Sequence, residues 1–185
     1  MLLTIDAGNT NVVFALYGEE DQPQPLHVWR CKTDSGRTAD EYAAWLYQLF
    51  CCEQIGFGQV RDAILCSVVP DANGHLLRLC EKIFGISPLI VSHQSVHMPV
   101  NLDNPSESGA DRLVNAVAVL AFYRPPAIVI DFGTATTFDV INGRGEYCGG
   151  VIAPGVNLSM QALYSAAAKL PKVDVRKPSS VIGTN

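Results

Sequence analysis

The chain has 185 residues, 48% of them hydrophobic, and a net charge of −5, enough apolar material to core one large domain or two small ones. No Lys/Arg block occurs, so the electrostatic footprint of a nucleic-acid binder is missing. The N-terminus meets Asp6 without a basic n-region and no apolar run approaches a membrane span, so no signal peptide, no membrane association and a cytoplasmic location are expected.

Residues 2–6 and 11–17 read as two strands joined by a turn at Gly8, with a third strand over 26–31 after the Pro23/Pro25 loop. Residues 39–52 carry Tyr42, Trp45, Leu46, Leu49 and Phe50 at helical spacing, with Thr38 as N-cap and Glu41 three residues on. A short strand over 63–69, an amphipathic helix over 71–84 stopped by Gly85, and a brief strand over 89–91 follow. Three strands, then helix, strand, helix, strand is the order of a ribonuclease H-like half.

Residues 97–108, rich in Asn, Pro and Ser, predict an irregular connection into a helix over 110–123, which Pro125-Pro126 ends. Strands over 127–131, 135–141 and 147–152 repeat the opening of the first half, and Pro154-Gly155 introduces a helix reaching residue 168. The expected organisation is a first half with its connection (1–108), a linking helix (109–125) and the start of a second half (126–185). No strand–helix–strand continuation follows Lys169. An opening of three strands and one helix leaves an unpaired edge and an open face, so the chain is expected to stop inside its second domain, with Val151, Ile152, Leu158 and Leu163 uncovered.

One chemical signal occurs twice. Asp6-Ala7-Gly8-Asn9-Thr10-Asn11 follows the first apolar strand, and Asp131-Phe132-Gly133-Thr134-Ala135-Thr136 follows the strand that opens the second half. A strand that ends on a carboxylate and turns through Gly presents backbone N–H groups to a phosphate and the Asp to its metal, while Thr and Asn add hydrogen bonds. A single Asp-x-Gly is equally an ordinary turn; two in the same context favour a nucleotide site. No GxxxxGK[ST], no GxGxxG after a strand and no protein-kinase catalytic-loop signature is present. The six cysteines contain no CxxC pair and read as reduced, buried or half-buried thiols. His27, His75, His93 and His97 lack metal-ligand spacing.

Two halves with such turns resemble the superfamily of acetate and sugar kinases, heat-shock chaperones and actin, in which ATP lies between the halves. Within it the chain resembles the type III pantothenate kinases. The resemblance rests on four blocks in the family's order: residues 6–11, Asn104-Pro105 followed by Gly109-Ala110-Asp111-Arg112, residues 131–136, and Gly149-Gly150-Val151-Ile152-Ala153-Pro154-Gly155. It implies an α/β, actin-like ATPase fold and ATP-dependent phosphorylation of pantothenate, the entry to coenzyme A synthesis, by a homodimer. It implies that Asp6, Ala7, Gly8, Asn9, Thr10, Asn11, Val12 and Val13 bind ATP phosphates, with Asp6 acting through Mg²⁺, and that Thr134 contacts the nucleotide. Gly109, Ala110, Asp111 and Arg112 would hold pantothenate, with Asp111 the catalytic base and Arg112 pairing with an anionic group. Asp131 would take a monovalent cation, K⁺ or NH₄⁺.

The residues themselves leave alternatives. Asp111 is also a first-turn carboxylate that stabilises a helix N-terminus. Arg112 has Asp103 and Glu107 within reach for a structural ion pair, and Gly149-Gly150 fits either close approach to a ligand or a strand bend. A non-catalytic regulator of the Bvg accessory factor type and another small-molecule kinase of the superfamily are the competing functions. The family also implies a substrate-contacting Thr and further helices after residues 182–185.

Overall fold

A computed structural model describes residues 1–18, 23–167, 175–177 and 180–182. The chain divides into two compact units, residues 1–129 with 139–149, and residues 130–138 with 150–185.

The first unit begins with the expected hairpin. Leu3, Ile5 and Ala7 of β1 (Leu2–Ala7) and Val12, Phe14 and Leu16 of β2 (Asn11–Tyr17) are all buried, the alternation that a sheet with one cored face imposes. The two strands pair antiparallel from Leu2↔Tyr17 to Ala7↔Val12. β3 (His27–Lys32) continues antiparallel on β2, whereas β4 (Asp62–Ser67) lies parallel to β1 and β5 (Leu89–Ile90) parallel to β4. The sheet order is therefore β3-β2-β1-β4-β5, the mixed topology that the ribonuclease H-like element order demands.

Helix α1 (Ala39–Cys52) opens on a complete capping box. The Glu41 N–H donates to Thr38 Oγ1 at 3.3 Å, and the Glu41 carboxylate accepts from the Thr38 N–H at 2.8 Å. Its apolar stripe, Tyr42, Leu46 and Phe50, is buried against the sheet residues and α2 (Pro70–Leu79). Pro70 fits at the start of α2 because the first turn has no intrahelical use for its missing N–H. Beyond Leu79 the helix widens into a π-helical turn over Cys80–Phe84 and stops on Gly85, whose φ of 69° is left-handed.

The connection after β5 holds a parallel bridge from Val100 to Tyr147 and a 3₁₀ turn at Pro105–Glu107, and leads into α3 (Ala110–Phe122). Helix α3 packs against β4, and Leu113 and Ala116 join Met98, Ile141 and Tyr147 in a second buried cluster of the first unit. A second sheet runs in the order β6-β7-β8, from β6 (Ala127–Phe132), β7 (Ala135–Ile141) and β8 (Tyr147–Pro154). Helix α4 (Val156–Ala166) follows in the second unit. There Val151, Ile152, Leu158 and Leu163 are exposed, as their sequence context predicts. The expected end of α4 at residue 168 and the segment 183–185 fall outside the described residues.

Candidate active site

The turn between β1 and β2 is built from backbone. Gly8 N–H donates to Asn11 O at 3.0 Å, so this amide serves the hairpin rather than standing open to a phosphate. Thr33, just past β3, braces the turn from outside: its Oγ1 donates to Gly8 O at 2.6 Å and its N–H to Thr10 O at 3.0 Å. Asp6, Asn9, Thr10 and Asn11 are exposed, Gly8 and Val13 half-buried, and Ala7 and Val12 buried. The last two side chains serve the core, and the polar ones lie on the surface of the turn.

Cys66 is where the structure joins two of the sequence-derived residues. The parallel register sets it beside Asp6, and its thiol donates to the Asp6 carboxylate. Burial, then the charge of Asp6, then that of Asp111 push the thiol up to about 12, so it stays protonated at neutral pH. A thiol that feels both carboxylates puts Asp6, on β1, and Asp111, in the first turn of α3, in one neighbourhood. No local sequence pattern pointed to Cys66; the parallel pairing of β1 with β4 creates the site.

The start of α3 is shaped around Asp111. Gly109 is the N-cap, and a Cβ there would lie 2.6 Å from Asp111 Oδ1, so the glycine makes room for the carboxylate. Asp111 Oδ1 accepts the Arg112 N–H at 2.8 Å, and the side chain is half-buried. Ala110 is buried. Asp111 thus keeps its helix-stabilising position as well as its place near Asp6.

Arg112 corrects the sequence reading. Its partner is neither Asp103 nor Glu107 but Asp139: Nε donates to Asp139 Oδ1 at 2.6 Å, while Glu107 accepts instead from Asn104 at 2.7 Å. Asp139 sits on the buried face of β7 among apolar residues. A carboxylate at a core-facing strand position is the one sequence signal that asks for a partner.

Asp131 and Thr134 belong to the second unit, and both are exposed. Their turn closes with Gly133 N–H donating to Ala135 O at 2.9 Å and Gly155 N–H to Thr134 O at 3.1 Å. A Cβ on Gly155 would collide with the carbonyls of Gly133 and Thr134; the glycine lets the two backbones meet. Within β8, Gly149 has a left-handed φ of 77° and a Cβ there would lie 2.9 Å from Leu102, so the strand's own backbone and packing require glycine at this position. The cysteines are all free, but Cys51 and Cys52 are exposed rather than buried, because they end α1 outside its apolar stripe.

The family profile of type III pantothenate kinase matches residues 2–185. The chain belongs to that family. It is 53% identical over 186 residues to a type III pantothenate kinase of Rhodospirillum centenum, covering 99% of this chain and 70% of the relative. The same enzyme of Geobacter sulfurreducens is 49% identical over 186 residues, covering 100% of this chain and 72% of the relative. A crystal structure described as a Baf family transcriptional activator from Campylobacter jejuni superposes with a TM-score of 0.51 at 17% identity, over 90% of this chain and 61% of that one, and shares the fold. Among the described residues no helix is long and apolar enough to cross a membrane.

Proposed function

We infer that this chain transfers the γ-phosphoryl group of ATP to the hydroxyl of pantothenate, the first step of coenzyme A biosynthesis. The observation that carries the reading is the match of residues 2–185 to the pantothenate kinase family, in a fold that pairs Asp6 with Cys66 of β4 and packs α3, which carries Asp111 in its first turn, against that same strand. Phosphoryl transfer asks little covalent chemistry of a protein and much positioning. Asp111 orients the substrate hydroxyl and takes its proton late, a task for which an ordinary carboxylate suffices. Gly109, Ala110 and Arg112 complete the pantothenate segment, and the turn over 6–13 engages the ATP phosphates. Thr134, in the second unit, is assigned a nucleotide contact on the family resemblance.

Mg²⁺ brought with ATP supplies charge neutralisation at the phosphates, and Asp6 would hold it. An exposed carboxylate oxygen suits this hard cation, which takes one or two carboxylates and fills its remaining positions with phosphate and water. The described residues contain no group of three or more His, Cys, Asp or Glu gathered for a metal, and such a site needs none. Asp131, also exposed, is the hard-oxygen donor for K⁺ or NH₄⁺. A cytoplasmic homodimer belongs to the same reading.

A coupled assay of ADP release, with mass spectrometry of the product, tests the assignment when pantothenate, hexoses and acetate compete as acceptors. Pantothenate-dependent release that yields phosphopantothenate is expected; release only with another acceptor contradicts the reading. Replacing KCl by NaCl or tetramethylammonium chloride at constant ionic strength should lower the rate, and equal rates would remove the cation from Asp131.

A further inference from the structure

The Arg112 guanidinium is held by more than one group. Nε–H donates to Asp139 Oδ1 at 2.6 Å, and Nη2 lies 2.6 Å from the same oxygen. Tyr147 Oη donates to that oxygen too, at 2.8 Å, and the Tyr147 ring centroid lies 6.0 Å from Arg112 Cζ. Asp139 and Tyr147 are 0% and 1% exposed. All three residues belong to the first unit, where Leu113, Ala116 and Ile141 share a buried cluster with Tyr147. Nη2 is buried on the same edge as Nε, facing the one Asp139 oxygen, so that whole edge of the guanidinium is committed to the carboxylate.

Burying a carboxylate and a guanidinium costs about as much hydration as their attraction returns, and an apolar pair of similar volume often serves stability as well. Stability therefore gives no reason for this trio, but position does. Arg112 follows Asp111 directly, and its Nε and Nη2 both meet one Asp139 oxygen that Tyr147 Oη also holds, with the Tyr147 ring beside the guanidinium, leaving it little rotational freedom. Its Nε edge is spent on Asp139, so the donors it can offer an incoming anion lie on the other edge.

We infer that Asp139 and Tyr147 are positioning residues for the substrate: they fix the Arg112 guanidinium so that its outer donors receive the carboxylate of pantothenate while Asp111 meets the hydroxyl. This rests on reading residues 109–112 as the pantothenate segment.

Steady-state kinetics on the purified enzyme carrying Tyr147→Phe, Asp139→Asn or Arg112→Gln test it, with circular dichroism to verify folding. Tyr147→Phe removes one hydroxyl from a packed ring and should raise KM for pantothenate about tenfold with KM for ATP shifted less than about twofold. Asp139→Asn should raise the pantothenate KM further. A folded Tyr147→Phe or Asp139→Asn with unchanged pantothenate KM overturns the inference, as does a parallel rise in both KM values, which marks a merely structural role. Arg112→Gln separates this from the underlying reading. Unchanged pantothenate KM there removes Arg112 from the substrate, whereas a large rise in Arg112→Gln with none in the other two overturns the positioning role alone.

Discussion

The turn after β1 and the turn after β6 share Asp, Gly and Thr, yet the strands that carry them are buried very differently. In β1 every second residue is buried beneath α1 and α2, whereas β6 has no buried residue, and Ile128, Ile130 and Phe132 are 66%, 49% and 72% exposed. Both turns close on their own glycine N–H, so local chemistry is enough to make them. They are braced by different means. Thr33 supplies a side-chain hydroxyl and an amide to the first, and Gly155 supplies bare backbone to the second. A repeated motif therefore specifies a turn, while packing partners decide how much stability the turn's strand inherits.

Substitutions in the two regions should diverge accordingly. Leu46→Ala, in the fully buried stripe of α1, should cost about 2–5 kcal/mol through lost burial and a residual cavity, measured by urea unfolding. Ile152→Ser, at a position 63% exposed in the second unit, should stay within about 0.5 kcal/mol in the same experiment. Equal costs would erase the contrast between the regions.

The two glycine turns sharpen it on a smaller scale. Gly155→Ala drives a methyl into two backbone carbonyls and should cost roughly 1–3 kcal/mol, the usual range for overpacking. Gly8→Ala places its methyl 3.4 Å from Asn11 O, near ordinary contact, and should cost less than about 1 kcal/mol. Thermal melts of the two variants decide the order, and a larger loss for Gly8→Ala would refute it.

What the sequence made legible was local. α1 was readable residue for residue because Thr38 and Glu41 form a chemical start signal and Tyr42, Leu46 and Phe50 share one face. The hairpin around Gly8 and the left-handed stop at Gly85 were readable because glycine and strand alternation leave little choice. The π-helical turn over Cys80–Phe84 was not, since its residues fit an α-helix equally well. In the site, Asp6 and Asp111 came from motifs. Cys66 and Asp139 did not, because one acquires its place through parallel strand register and the other through a partner 27 residues away in sequence.

The proposed reaction turns on Asp111 taking the proton of the pantothenate hydroxyl. Turnover of Asp111→Asn, measured beside equilibrium binding of ATP to the same folded protein, tests it most directly. Loss of a positioned general base predicts turnover lowered roughly 10²-fold or more, with ATP affinity retained. Turnover equal to that of the unmodified enzyme would contradict the account.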